Sequence, residues 1–265
     1  MTIKEYVTFR KSEIRDSLFS LSLKPQIKII QLNDDPASNA YVKGKLKDAQ
    51  ELGVNAELIK LSEDTSQSEL LSLMQKLNNN PEIDGYIVQM PLPKGIDEET
   101  IKLAVDPEKD VDGFHPLSSL NPCTPQGIMN YLKHEGINLQ GKNALVIGRS
   151  NIVGKPMAKL LLNENCNVTI VHSKTSKEDM HNYVKNSDII VIAIGKQGFL
   201  NQEFEFKKDS IVIDVGISRD ETGLHGDAVP DLPVKFQTPV PGGVGLLTRL
   251  ALYENLLKIY YKKHG

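Results

Sequence analysis

Apolar and polar positions recur along the chain with two periods, and the switches between them mark its elements. Met1 to Leu23 places Ile14, Leu18 and Leu21 at helical spacing and reads as a short helical lead-in. Ile27 to Leu32 is a compact, β-branched apolar run and reads as a buried strand. A helix follows, with Asp35 suited to its cap, Pro36 to its first position and Gly53 to its stop. Next come a strand near 56–61, a helix near 67–77 with Leu70, Leu71, Met74 and Leu77 apolar, a strand at 85–89 and a short helix at 98–104. Thr124 can cap a further helix, with Pro125 at its first position and Gly136 at its end. Beyond it lie strand 144–147, a helix carrying Met157, Leu160, Leu161 and Leu162, strands 168–171, 188–194 and 211–215, and a last helix, 246–260. Strands alternating with helices predict parallel α/β sheets, whose sites form beyond the carboxyl ends of the strands.

The helix after Asp35 is unusual. At roughly 100° per residue, Val42, Ala49 and Leu52 share one arc with Leu46 at its border, while Lys43, Lys47, Gln50 and Glu51 oppose them. Tyr41 and Lys45 fall inside the apolar arc, one turn apart. A lysine there either snorkels to water or is a catalytic amine whose pKa is lowered by desolvation.

Other stretches offer partners for it. Gln89 ends a strand before Met90-Pro91-Leu92-Pro93, where prolines break the ladder; it serves either the local backbone or the same crevice as Lys45. In the acidic turn Lys109-Asp110-Val111-Asp112-Gly113, the two aspartates alternate, so that one points inward and the other does not. Strand 144–147 runs into Gly148-Arg149-Ser150-Asn151-Ile152-Val153-Gly154 and a helix, a dinucleotide-type unit that has Ser150 where the usual pattern has a second glycine. The helix N-terminus there can bind phosphate. Gly195 and Gly216-Ile217 follow later strands, where glycine allows close ligand approach. Thr238 to Gly245 reads as a rigid loop with accessible amides.

Composition narrows the function. The 265 residues allow two modest domains, 40% hydrophobic and 25% charged, as in a soluble globular protein. A net charge of −3 gives no footprint for nucleic acid. Cys123 and Cys166 form no redox or metal cluster and fit a reducing compartment; with no signal peptide or long apolar span visible, the expectation is a cytoplasmic protein that binds no membrane. No nucleophilic triad or metal motif is readable.

Taken together the motifs resemble a family. Asp34-Asp35-Pro36-Ala37-Ser38, Tyr41-Val42-x-x-Lys45, Val88-Gln89-x-Pro91-Leu92-Pro93, Lys109 to Gly113, Pro122-Cys123-Thr124-Pro125, Gly148-Arg149-Ser150, His172-Ser173-x-Thr175 and Thr238 to Gly245 look like bifunctional methylenetetrahydrofolate dehydrogenase/methenyltetrahydrofolate cyclohydrolase, in the family's order. The resemblance implies an α/β protein of two domains flanking a cleft: a folate-binding catalytic domain, 1–121, onto which the final helix, 246–265, packs back, and a Rossmann-like NADP-binding domain, 122–245. It implies oxidation of 5,10-methylenetetrahydrofolate with NADP, then hydrolysis of the methenyl product to 10-formyltetrahydrofolate, by a homodimer. Lys45 matches the catalytic lysine, Tyr41 the tyrosine beside it, Gln89 the glutamine that tunes it and Asp112 the aspartate that holds the pterin. Pro241 and Gly242 fall to the substrate. Thr124, Gly148, Arg149, Ser150, Ser173, Gly195, Gly216, Ile217 and Thr248 fall to the cofactor.

Two departures stand out. Only Leu117 to Asn121 separate His115-Pro116 from Pro122, a shorter loop than usual, and Leu246-Leu247 replace the usual Pro-Met. The alternatives are a two-domain dehydrogenase of shikimate-dehydrogenase type, which has no reason for Tyr41, Lys45 and Gln89 together, and a non-catalytic folate- or nucleotide-binding protein. Preference for NADP is expected from the residues themselves. His172-Ser173-Lys174 follow strand 168–171 with no carboxylate for a ribose hydroxyl, and Arg149 can meet a 2′-phosphate.

Overall fold

A computed structural model describes residues 1–265. The chain divides into two compact units, Thr8–Cys123 with Arg249–Gly265, and Met1–Val7 with Thr124–Thr248.

The first unit holds a three-stranded sheet. Along the chain run α1 (Ile3–Phe19), β1 (Gln26–Gln31), α2 (Pro36–Leu52), β2 (Asn55–Lys60), α3 (Gln67–Asn79), β3 (Gly85–Gln89) and α4 (Glu98–Ala104). The strands are parallel in the order β2-β1-β3, with Gln31 opposite both Lys60 and Gln89. Asp35 caps α2 by accepting from the Ser38 N–H at 2.7 Å, and Gly53 closes it in the left-handed conformation, φ 77°. Ile30, Leu32, Leu70, Met74, Tyr86, Val88 and Ile101 form one core. Of the final helix, α8 (Val244–His264), Leu250 to Leu257 are all buried. A helix stretch buried on every side lies inside a core, and α8 hydrogen-bonds here through Tyr253 and Asn255.

The second unit comprises α5 (Cys123–His134), β4 (Asn143–Ile147), α6 (Gly154–Asn163), β5 (Asn167–Val171), α7 (Lys177–Asn186), β6 (Ile189–Ile192), β7 (Ile211–Asp214), the hairpin β8 (Ser218–Asp220) and β9 (Gly223–His225), and β10 (Phe236–Gln237). Its sheet is parallel in the order β10-β7-β6-β4-β5, so the order reverses between β4 and β6. The central strands are buried on both faces: Val146, Val191 and Ile213 pack with Met157 and Leu161, while Leu145, Ile190 and Val212 pack with Met180 and Val184. Met1–Val7 belong here because the Tyr6 ring lies 5.3 Å from that of Tyr131 and the N-terminal amine 2.8 Å from Glu135.

Three features differ from the sequence expectation. Helix α7 was not anticipated; only Met180 and Val184 are buried in it, too few to show a period, although Ser176 caps it through the Asp179 N–H at 3.0 Å. The hairpin and β10 are too short to carry an alternation. Helix α5 begins at Cys123, so Thr124 lies inside the first turn rather than at its cap. No helix is long and apolar enough to cross a membrane, and no cluster of metal-ligating side chains occurs.

Candidate active site

In the three-stranded unit, three of the expected residues meet through the register of α2 against β3. Lys45 is buried, at 5% exposure. Its ammonium donates to Gln89 Oε1 at 3.0 Å and stands 5.1 Å from the centre of the Tyr41 ring. A desolvated cation over an aromatic face is attracted by the ring quadrupole. Gln89 Nε2 donates to the Met90 carbonyl at 2.9 Å, which turns Oε1 toward the lysine. The two readings of Gln89 are therefore one arrangement: the backbone bond orients the amide that Lys45 uses. Snorkelling is ruled out by the burial of Lys45.

The aspartate pair also separates. Asp110 is buried and accepts from the His115 N–H at 2.8 Å and the Gly113 N–H at 3.1 Å, so it ties the loop. Asp112 is half-buried, and what acts on it is burial, the Lys45 charge and the Asp110 charge, with no hydrogen bond. Desolvation pushes its carboxyl up to about 6, against the pull of Lys45, with Asp110 adding to the rise. The same burial lowers Lys45 from the usual lysine range; Asp112 and then Cys123 oppose that, and Arg249 adds to it. The loop base is clasped by Asn255, whose Nδ2 donates to the Val111 and Asn121 carbonyls, each at 3.1 Å.

Three polar groups of this unit escaped the sequence reading: Asp48, Arg249 and Asn255. A signal for Asp48 was present, since it follows Tyr41 by seven residues, two helical turns, and so shares its face. Arg249 and Asn255 are remote in sequence and leave no local signal.

In the five-stranded unit, the strand ends at the reversal point carry the expected cofactor residues. Gly148 has φ 124°, and a Cβ there would lie 2.5 Å from the Ala193 carbonyl oxygen, so the β4 turn admits only glycine. Arg149 is exposed. Ser150 Oγ accepts from the Val153 and Gly154 N–H groups at 3.2 and 3.3 Å, its carbonyl takes the Lys155 N–H, and Pro156 has none. The N-terminus of α6 is thus already capped by the loop, which leaves Arg149 as the main anion donor of the turn. Ser173 lines a cavity of about 720 Å³ with His172, Lys177, His181, Lys196 and a single carboxylate, Glu203.

Four other cofactor assignments have a different local explanation. A Cβ on Gly216 would lie 2.0 Å from Asp227 Cγ, so the position calls for glycine whether or not a ligand approaches it. Asp227 accepts from the N–H groups of Ile194, Gly195 and Lys196 at 2.7, 3.0 and 2.6 Å, so the Gly195 amide is engaged. Asp214 beside it takes those of Gly216, Asp227 and Ala228 and is raised to about 6 by its burial, these bonds opposing and the Asp227 charge adding. Thr124 and Thr248 bond to each other through their hydroxyls at 2.9 Å. Ile217, Pro241 and Gly242 are exposed.

The comparisons with known proteins decide what this arrangement belongs to. Residues 2–112 match the family model for the tetrahydrofolate dehydrogenase/cyclohydrolase catalytic domain, and residues 122–264 match that for its NAD(P)-binding domain. The chain belongs to the tetrahydrofolate dehydrogenase/cyclohydrolase family. Among its relatives is the bifunctional protein FolD of Staphylococcus epidermidis, 45% identical over 96% of this chain and 92% of that one. Among solved structures, the bifunctional FolD methylenetetrahydrofolate dehydrogenase/cyclohydrolase of Campylobacter jejuni is 38% identical with a TM-score of 0.93, covering 98% of this chain and 97% of that one. That of Trypanosoma brucei, complexed with NADP cofactor and an inhibitor, is 30% identical at a TM-score of 0.93, covering 99% and 97%. In this family's terms, the three-stranded unit carries the catalytic model and the five-stranded unit most of the NAD(P)-binding one.

Proposed function

We propose that Lys45, Tyr41, Gln89 and Asp112 carry the two folate reactions of this family in this chain. The protein is an NADP-dependent methylenetetrahydrofolate dehydrogenase and methenyltetrahydrofolate cyclohydrolase. The observation that carries the residue assignment is a buried lysine held on an oriented glutamine and an aromatic face, with a carboxylate nearby that no hydrogen bond engages.

The chemistry follows from those surroundings. Asp112 is a pair of acceptors for the amino and ring N–H groups of the pterin. That binding needs its ionised form. A bound NADP would supply the hydride acceptor for the methylene bridge, and loss of the hydride would leave the folate cationic. A protonated lysine would oppose that charge, whereas an amine kept below its ordinary pKa tolerates it. Lys45 then takes a proton from the water that attacks the bridge and returns a proton to N5 as the carbon–N5 bond breaks, leaving a formyl group on N10. The surplus proton of the adduct hydroxyl goes to solvent. Gln89 holds the amine in place, and the Tyr41 ring shields it from water.

The residues at the five-stranded reversal point fit a dinucleotide. Exposed Arg149 and Ser173 offer donors to a 2′-phosphate, and no carboxylate directly follows β5 to claim a ribose hydroxyl. The folate half is then the three-stranded unit, Thr8–Cys123 with Arg249–Gly265, and the NADP half the five-stranded unit, which takes Met1–Val7 and runs to Thr248 where the sequence suggests 1–121 with 246–265 and 122–245. The homodimer rests on family likeness, with light scattering as its test; a cytoplasmic location rests on the two free thiols. Mixing the protein with 5,10-methylenetetrahydrofolate and NADP tests the whole reading. Methenyl absorbance should appear and then decay to the 10-formyl product, and a protein giving no methenyl signal would not be this enzyme.

A further inference from the structure

Around buried Asp48, on the helix that carries the proposed lysine, lies an ion cluster that the two reactions do not use. Asp48, at 2% exposure, pairs with Lys11 of α1 and with Arg249 of α8, the latter at 3.0 Å between Oδ2 and Nε. Neither of those two atoms has a hydrogen bond, so they are paired by charge without alignment. Lys11 also meets Glu51 at 2.7 Å. The guanidinium is held by shape as well. A Cβ built on Gly44 would lie 1.9 Å from Arg249 Nη1, so the arginine fills the space that any other residue at 44 would occupy. One turn along α8, the Tyr253 hydroxyl donates to the Lys45 carbonyl at 2.5 Å. Two residues on one face of α8 thus grip the turn of α2 that presents Lys45.

We propose that Arg249, seated against Gly44 and anchored by Asp48, is a positioning residue for Lys45, fixing its helical turn and placing a permanent cation beside the amine. This rests on the reading of Lys45 as the proton carrier of the hydrolysis. The charged and titratable groups acting on Lys45 are Asp112 from the loop, Cys123 at the start of α5 and Arg249 from α8; Gln89 and Tyr41 complete its surroundings. Asp112 and Cys123 favour the ammonium, and Arg249 works with burial against it. A guanidinium suits this task because it stays charged at every working pH. The amine is then free nearer neutrality, where it can accept a proton from water.

The test reads the amine directly. The full-length protein is acetylated with acetic anhydride across a pH series, and the extent at Lys45 is read by mass spectrometry. Arg249→Met should raise the midpoint by on the order of half a pH unit or more, and the rising limb of the cyclohydrolase pH profile should move with it. At neutral pH the hydrolysis should slow about threefold and recover on raising the pH. Arg249→Lys, which keeps a cation, should restore most of the midpoint. Arg249→Gln serves the same comparison if the methionine variant does not fold. Gly44→Ala should lower activity in the wild type yet be tolerated beside Arg249→Met, because the colliding guanidinium is gone. An unmoved Lys45 midpoint in folded Arg249→Met or Arg249→Gln would overturn the proposal. So would additive effects of Gly44→Ala and Arg249→Met. Cyclohydrolase activity surviving in Lys45→Met would instead remove the role of Lys45, and the labelling midpoint would still decide whether Arg249 acts on the amine.

Discussion

Replacing Lys45 with methionine separates the chemistry of this site from its packing. Methionine keeps the length of the side chain and its apolar stem but removes the proton. General acid–base catalysis contributes about 10²–10⁴ in rate, so the hydrolysis should fall by that factor, while hydride transfer, which needs no proton from Lys45, should fall less. Stability should barely change. The substitution strands Gln89 Oε1, half-buried, at a cost of about 1 kcal/mol, and it relieves an ammonium whose burial already disfavours its charge. The sign of the pH dependence follows. A lysine whose folded pKa lies below its ordinary 10.5 supports the native state fully only above that value and loses that support as pH falls through the folded one. Wild type should therefore lose ground to the variant as pH is lowered from the alkaline side. A second consequence appears at Asp112. Its carboxyl stands at about 6 with Lys45 pulling it down, so without that cation it should titrate higher and the pH midpoint of folate binding should rise. The assay follows the decay of methenyl absorbance, in parallel with thermal melts and folate titrations. Hydrolysis within about tenfold of wild type in a folded variant would refute the proton role.

Four further outcomes follow from the geometry. Asp112→Ala should weaken folate binding by about 10–100-fold with NADP binding unchanged, whereas Asp110→Ala should mainly destabilise the loop by leaving the Gly113 and His115 N–H groups unpaired; titration showing the reverse order would exchange their roles. Wild-type folate affinity should be about tenfold weaker at pH 5 than at pH 7, because Asp112 titrates at about 6 and binds as the carboxylate. Arg149→Ala should narrow the NADP-over-NAD preference by about 10–100-fold, mainly through NADP; an unchanged ratio of kcat/KM values would remove Arg149 from the cofactor site. Gly216→Ala should cost about 1–3 kcal/mol, read by chemical denaturation, since its methyl would meet Asp227 at 2.0 Å.

The sequence by itself determined the elements and the partners for Lys45 that lie on strong local patterns. The cap at Asp35, the stop at Gly53 and the helical arc placed Lys45 and Tyr41 on a buried face; α2 buries Lys45, and the Tyr41 ring beside it is half-buried. These signals are short-ranged, because capping and periodicity act within one or two turns. The pairing of Lys45 with Gln89 was legible only as a shared crevice; its 3.0 Å bond depends on how α2 lies against β3. Tertiary structure alone decided which aspartate is free. Asp110 and Asp112 are chemically alike and two residues apart, and only the loop amides of Gly113 and His115 single out Asp110. It also decided the purpose of the glycines. At Gly216 and Gly44 the space a Cβ would take is occupied by a side chain from another segment, Asp227 and Arg249. Those contacts arise when remote segments pack into one core, and a chain read residue by residue carries no record of which volume another segment will fill.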